Sequence, residues 1–486
     1  MTDGGGLRLE ALLERRSRRL RVIVLGVALG CSLGVMVYAW FRLLPPHPFG
    51  IADDYRVFYS AAKLLASGHN PYGTRGLEAV EQAVYHYPHL QPTLDSFAYL
   101  PITATVMVPL SQLPFWVSYA LFSVLGLVVA GLVISLLARD LGWRHDRLLV
   151  AAVVVSWVTV LGFVSGQFDA LMLAVVAGAM LLGWRQHPLP AGLVMGLVWL
   201  KPDLLWPAPI FLLLALWPQR RSAARFALGF ALTSIGCLSA YPGLLPAWWS
   251  AALGFSRTVG VSQPDLAGLP SLAGAAPAGW HLGSGLTAPG SLAVAGISLA
   301  AMAVFAAWMM LSPDWRRLTP VGRIAWGVAL PLGIWLVATP YAHTNDDLLL
   351  LPLLMLTVGR DARRVHGLGL WLSLAVVALV LLTWPGGLVP WEVATAAAIL
   401  VGAAVWRRRT DPLLTGFGAG LAVLAMALLP PVSPFHLLQV ALTPLAAAAV
   451  LVEGCRTCWM EVGGAGTGPA YALEPHLGIA SSAVGG

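Results

Sequence analysis

Residues 15–44 read Arg-Arg-Ser-Arg-Arg-Leu-Arg (15–21) followed by Val-Ile-Val-Leu-Gly-Val-Ala-Leu-Gly-Cys-Ser-Leu-Gly-Val-Met-Val-Tyr-Ala-Trp-Phe-Arg-Leu-Leu (22–44). An apolar run of about 24 residues is long enough as a helix to cross a hydrocarbon layer about 30 Å thick. The arginines before it anchor its start in the cytoplasm. No small-residue cleavage site follows, so the run is expected to remain as a first span and not to be removed as a signal peptide. The chain should therefore emerge on the outer face near Pro45. About ten residues past the span come two adjacent carboxylates, Asp53 and Asp54, at the start of an amphipathic stretch. Acidic groups so close to a bilayer are disfavoured unless they have a function, which makes the pair the first candidate site.

Composition places the whole chain in the same class. Hydrophobic residues make up 58% and charged residues 10% of 486, and mean hydropathy is +0.77. These values exclude a soluble domain and predict an all-α polytopic membrane protein. The net charge of +7 is a topology signal and not a nucleic-acid stripe. All but six of the 29 Lys and Arg residues (Arg42, Arg56, Lys63, Arg75, Lys201 and Arg257) fall in expected cytoplasmic segments.

Further spans are expected near 115–138, 148–164, 168–184, 226–245, 291–311, 324–341, 347–359, 367–384, 391–406, 412–429 and 436–452. Arginine clusters at 139–147, 185, 220–225, 316–323, 360–364 and 407–409 mark the cytoplasmic turns. Residues 189–218 cannot be one straight span, because both flanks, Arg185 and Arg220, belong inside. A hairpin of two short helices, 191–200 and 203–217, resolves this, and Lys201-Pro202 sets the break because proline disfavours helix at the residue before it. Broken helices in membranes line cavities. The scheme gives 12–14 membrane helices with both termini cytoplasmic. It divides the chain into a basic N-terminus (1–20), a membrane module (21–360) with outer loops 45–114 and 246–290, additional spans (361–455), and a tail (456–486) whose Gly, Ala and Ser content predicts disorder.

Within the first outer loop, Tyr55, Phe58, Tyr59, Ala62, Leu65 and Ala66 recur at helical spacing, with Arg56, Ser60 and Lys63 opposite. That pattern predicts a helix lying on the bilayer surface, ended by Gly68 and Asn70-Pro71. Tyr99-Leu100-Pro101 opens a second apolar stretch broken by Pro109 and Pro114, read as a surface or re-entrant helix. In the second outer loop Trp248, Trp249 and Trp280 are placed at interface depth.

Several of these pieces, in this order, resemble one family. Asp54-Tyr55-Arg56-Val57-Phe58-Tyr59, Ala61-Ala62 and Asn70-Pro71-Tyr72 look like the first loop of bacterial polyprenol-phosphate-mannose-dependent mannosyltransferases, membrane enzymes of the GT-C superfamily. Tyr99-Leu100-Pro101 with Val108-Pro109-Leu110, Gly166-Gln167, Gly196-Leu197 leading to Lys201-Pro202, and Pro340-Tyr341-Ala342-His343 are similar to later landmarks. The resemblance spans about residues 20–360. It departs at Asp169, where the mannosyltransferases usually carry Asn, which leaves the sugar and acceptor open.

The resemblance implies a GT-C fold and transfer of a sugar, most directly mannose, from a polyprenyl-phosphate donor to a glycolipid or glycan acceptor at the extracytoplasmic face of the plasma membrane. It implies Asp54 as general base with Asp53 beside it, and substrate contacts from Lys201, His343, Gln167, Asp169, Tyr59 and Tyr99. An attacking hydroxyl must lose a proton, which a carboxylate in reach can accept, and a departing lipid phosphate needs cationic or imidazole donors. No nucleotide-binding pattern is present, in keeping with a lipid-linked donor. No cofactor, metal or nucleic acid is expected.

Structural alternatives stand beside each reading. Asp53 or Asp54 fits a helix N-cap. Lys201 fits a snorkelling lysine with Asp203 as its ion-pair partner, and His343, Asp346 and Asp347 fit a helix end. His86 and His89 have metal-pair spacing with no third ligand near, and Cys455-x-x-Cys458 lacks the second pair a structural zinc needs. A lipid-linked sugar flippase is the rival function, since broken helices and intramembrane charges suit transporters too.

Overall fold

The computed structural model of the chain describes residues 52–85, 97–141, 157–262, 289–339, 344–353, 355 and 356, with isolated positions between 451 and 462. The expected spans at 21–44, 367–384, 391–406 and 412–429, together with His86, His89, Trp280 and His343, lie outside the described residues.

Among the described residues there are helices and turns and no strand. In chain order the helices are α1 (Asp53–Ala66), α2 (Thr74–Tyr85), α3 (Pro101–Ser111), α4 (Phe115–Asp140), α5 (Trp157–Ser165), α6 (Asp169–Trp184), α7 (Pro188–Met195), α8 (Pro202–Leu205), α9 (Pro207–Leu216), α10 (Arg220–Ser239), α11 (Leu245–Ser262), α12 (Pro289–Leu311), α13 (Pro313–Arg317) and α14 (Pro320–Ala338). Short 3₁₀ turns follow at Gly196–Leu200, Pro242–Leu244 and Thr344–Leu350. Proline stands at the first turn of α3, α7, α8, α9, α13 and α14, where its missing N–H has no helical partner to lose.

Helices α4 and α10 are long and apolar enough to cross a membrane. Their bare faces are apolar. Leu121, Val124, Leu125, Val128 and Leu132 form one stripe on α4, and Leu228, Leu232 and Ile235 form another on α10. On α12, Ile297, Val304 and Leu311 are exposed in the same way. Apolar stripes of this length are unfavourable in water and suit lipid. Helix α6 is the opposite case, with Met172, Val176, Ala177, Ala179 and Met180 all buried, so it forms the axis around which the others pack. The protein is an all-α polytopic membrane protein.

The hairpin at 189–218 exists, and its break falls where the proline rule put it. Lys201 has extended backbone angles (φ −145°, ψ 67°) between the 3₁₀ turn Gly196–Leu200 and α8. Its first arm, α7, lies hard against α10, where a Cβ at Gly192 would stand 2.1 Å from the Phe226 carbonyl oxygen. Small residues permitting close backbone approach are the usual means of joining helices in lipid.

Helix α6 also orients the molecule. At its C-terminal end Arg185 makes a two-point ion pair with Asp140 at the end of α4, both contacts 2.9 Å. At its N-terminal end Asp169 meets Lys201 of the hairpin break. The hairpin arms and α14 run away from that second end, so Arg220, Arg221, Arg316 and Arg317 sit at the arginine end with Arg185.

Two expectations need correction. Helix α1 does not lie on a surface: Tyr55, Phe58, Tyr59, Ala61 and Ala62 are buried, and so are Arg56 and Ser60 on its polar side. The polar face is covered because α2 supplies Glu81, fully buried, whose carboxylate is 3.4 Å from the Arg56 guanidinium. The N-cap position is taken by Ala52, in the left-handed region (φ 57°) and without a side-chain cap, so Asp53 and Asp54 are the first two residues of the helix itself. In addition, the span expected at 347–359 begins with the 3₁₀ turn Thr344–Leu350.

Candidate active site

The turn between α5 and α6 holds the start of α1. Gly166 has φ 74°, and a Cβ there would lie 2.4 Å from the Tyr55 Cβ, so glycine alone fits on both counts. The Ala52 N–H donates to the Val164 carbonyl at 2.6 Å, and the Tyr119 hydroxyl donates to the Phe163 carbonyl at 2.7 Å. The Tyr55 hydroxyl donates to Ser118 Oγ, which in turn donates to the Leu110 carbonyl at 2.8 Å. Burial pushes the Tyr55 phenol up to about 12 against the opposing Ser118 bond. Its ring is wedged among Phe115, Tyr119 and Phe122, with centroids 5.2–5.7 Å away. Asp54, the residue before it, is half-buried in the first turn of α1, where a helix N-terminus favours negative charge.

Phe58, one turn on, packs edge-on against both Tyr99 (4.9 Å) and Phe168 (4.8 Å). Tyr99 is fixed from two further sides. The Tyr72 hydroxyl donates to the Tyr99 carbonyl at 2.8 Å, and Trp248 Nε1 donates to the neighbouring Ala98 carbonyl at 3.0 Å. Tyr72 is itself set by a turn in which its N–H donates to Asn70 Oδ1 at 2.9 Å. The Asn-Pro-Tyr landmark thus acts as a brace for Tyr99.

Beyond Tyr99 lies a buried charge cluster. Lys201 Nζ donates to Asp169 Oδ1 at 2.7 Å and to Asp346 Oδ1 at 2.5 Å, and the three side chains are 1–3% exposed. The Thr103 hydroxyl of α3 reaches the Leu200 carbonyl at 3.3 Å, holding the hairpin break to the same wall. Asp203 stands beside the lysine on an exposed rim, and its carbonyl accepts from Trp335 Nε1 at 2.8 Å. Tyr99 feels all of these groups at once. Burial holds its phenol above the ordinary value, the Lys201 ammonium pulls the other way, and the carboxylates of Asp54, Asp203 and Asp346 add to the rise. The phenol therefore stays protonated, within electrostatic reach of Asp54 and of the lysine cluster.

The structure thus brings Asp54, Tyr99, Asp169 and Lys201 to one place. Gln167 is next to them: its Oε1 is buried with no hydrogen-bond partner among the described residues, as is Ser123 Oγ. Both line a cavity of about 20 Å³ with Thr159, Phe163 and Asp169, room for one water-sized group. Tyr59 is elsewhere. Its hydroxyl donates to the Leu113 carbonyl at 2.8 Å and its ring packs on Phe115. Asp346, which the sequence reading places at a helix end behind His343 in weight, is the second carboxylate on the lysine. Asp203 is the sequence neighbour of Lys201, yet the contacts are made by Asp169 and Asp346, 32 and 145 residues away. The signal available was charge counting: a lysine in an apolar hairpin needs carboxylates at its own depth. Among the described residues no group of three His, Cys, Asp or Glu side chains is arranged to hold a metal ion, and Cys455 and Cys458 are not joined in a disulfide.

Acids, a lysine and a phenol are thus gathered at the end of α6 away from Arg185. The sequence model of Glycosyltransferase family 87 matches residues 97–340, half of the chain, and the chain belongs to that family. It is therefore a membrane glycosyltransferase, with a sugar donor and an acceptor as its substrates. The match includes Tyr99, Gln167, Asp169 and Lys201 and leaves Asp54 and Asp346 outside its bounds. Comparison with curated proteins and with solved structures finds no match.

Proposed function

We propose that the protein transfers a sugar, mannose in the first instance, from a polyprenyl-phosphate donor to a hydroxyl of a glycolipid or glycan at the extracytoplasmic face. Asp54 is the general base. The acceptor oxygen attacks the anomeric carbon as the bond from that carbon to the phosphate oxygen breaks. The electron pair leaves with the polyprenyl phosphate, the hydroxyl proton passes to Asp54, and the anomeric configuration inverts. Lys201 offsets charge on the departing phosphate, and Tyr99 donates a hydrogen bond between the two.

The observation that carries this reading is the buried Lys201 cluster with Asp169 and Asp346, with Tyr99 and Asp54 within its electrostatic reach. A proton acceptor and a cation within electrostatic reach of one donor suit the two ends of a displacement at carbon. The sidedness is supported by the arginines lying at the far end of α6.

The test uses membranes supplied with radiolabelled polyprenyl-phosphate mannose, with products resolved after lipid extraction. Asp54→Asn keeps the side chain's size and is expected to fold normally with turnover lowered by about 10²–10⁴. Parental turnover in this variant would remove Asp54 as base, and transfer from a nucleotide sugar without a lipid intermediate would overturn the donor class.

A further inference from the structure

We propose that Asp346 is an internal rival of the donor phosphate for Lys201: donor binding displaces the Asp346 carboxylate, which then takes up one proton. This rests on the reading above that Lys201 meets the donor's phosphate.

Lys201 is already saturated by Asp169 at 2.7 Å and Asp346 at 2.5 Å in a site closed to solvent. A polyprenyl-phosphate sugar is a phosphodiester with one negative charge. Its arrival would place three anions around one cation, and buried like charges at such distances cannot all remain ionised. One carboxylate must give way. Asp169 is held in the first turn of the 16-residue helix α6, where the helix N-terminus favours its charge. Asp346 sits on the 3₁₀ turn Thr344–Leu350, a form with poorer hydrogen-bond geometry that is easier to shift. Asp346 is the one to yield. Released from the lysine but still enclosed, it becomes neutral by binding a proton. One negative charge and one proton enter together, so the net charge of the cluster is unchanged.

Burial pushes the Asp346 carboxyl well above the ordinary carboxylate range, the Lys201 ammonium opposes this, and the hydrogen-bonded Asp169 carboxyl adds to the rise, with Asp203, Tyr99 and Asp54 beyond them. Helix α5 brings no titratable side chain to the turn, and α14 brings only Arg323, near its opposite end.

The experiment measures binding of polyprenyl-phosphate mannose to the full chain in lipid nanodiscs across a pH series, with proton uptake read by an indicator in weak buffer. The wild-type protein should take up about one proton per donor, and its affinity should fall by up to about tenfold per pH unit as pH rises. Asp346→Asn should bind donor more tightly than wild type at neutral pH, without proton uptake, whereas a merely structural role predicts weaker binding. Asp346→Glu and Asp203→Asn should keep the wild-type slope. Lys201→Met should bind about ten- to hundred-fold more weakly, independently of pH. Absence of proton uptake in the wild-type protein overturns the proposal, and needs no variant to fold. So does weakened binding with an unchanged slope in Asp346→Asn. If Lys201→Met binds donor like wild type, the donor-contact reading fails first. Proton uptake on adding phosphatidylglycerol in place of donor would show a response to any lipid phosphate and overturn the donor as its cause.

Discussion

Adding one methyl group at Gly166 tests whether the α5–α6 turn sets the position of Asp54, the proposed base. In Gly166→Ala two costs arise together. The residue holds φ 74°, and a residue with a Cβ in the left-handed region costs about 1–2 kcal/mol. The new Cβ also meets the Tyr55 Cβ at 2.4 Å and Tyr119 Cε2 at 3.2 Å. Ordinary carbon–carbon contact is about 3.5–4.0 Å, so the turn and α1 must separate by more than an ångström. The Tyr55 ring cannot rotate away, because its hydroxyl is bonded to Ser118 and its faces are covered by Phe115, Tyr119 and Phe122. Overpacking of this kind adds about 1–3 kcal/mol. The yielding element is therefore the first turn of α1, which carries Asp54. A displacement of about 1 Å at a reacting group can lower turnover by about 10²-fold. Gly166→Ala is expected to lose about 2–5 kcal/mol of stability, measured as earlier thermal unfolding in detergent. Turnover per folded molecule should fall by about two orders of magnitude, with donor binding at Lys201 little changed. A variant with parental turnover would refute the claim that this contact positions Asp54.

Two further outcomes follow from the same contacts. Arg56→Met leaves Glu81 fully buried without its partner at 3.4 Å, so chemical or thermal unfolding should show a loss of about 3–5 kcal/mol, largely recovered when Glu81→Leu is added; equal stability of the single and double variants would show that the pair does not hold α1 to α2. For topology, cysteines placed singly at Thr74 and His145 in a background lacking Cys31, Cys237, Cys455 and Cys458 should differ in intact cells, with an impermeant thiol reagent labelling 74 and sparing 145; the reverse pattern would invert the orientation and remove the extracytoplasmic site.

Much of the helical plan was legible because lipid imposes local rules. A span must satisfy its own backbone, so the stretches at 115–138 and 168–184 announce α4 and α6 by composition alone. The break at Lys201 is equally local, since Pro202 acts on the residue directly before it. Helix α1 was legible as a helix and misleading as a surface. Its pattern shows an apolar and a polar face, but Glu81 arrives from another helix to meet Arg56, and no periodicity within residues 53–66 reports that.

The chain's own residues determine that it is a helical membrane protein, where its helices begin and break, and which few charged side chains stand in apolar surroundings. These are properties of single segments in contact with lipid. Tertiary structure alone decides which charges meet. Asp203 is two residues from Lys201, yet the 3₁₀ turn and α8 carry its side chain to the rim, while α6 and the Thr344–Leu350 turn deliver Asp169 and Asp346 to the ammonium. Burying a lone lysine is strongly unfavourable, and which carboxylates relieve it depends on helix packing across 145 residues of chain.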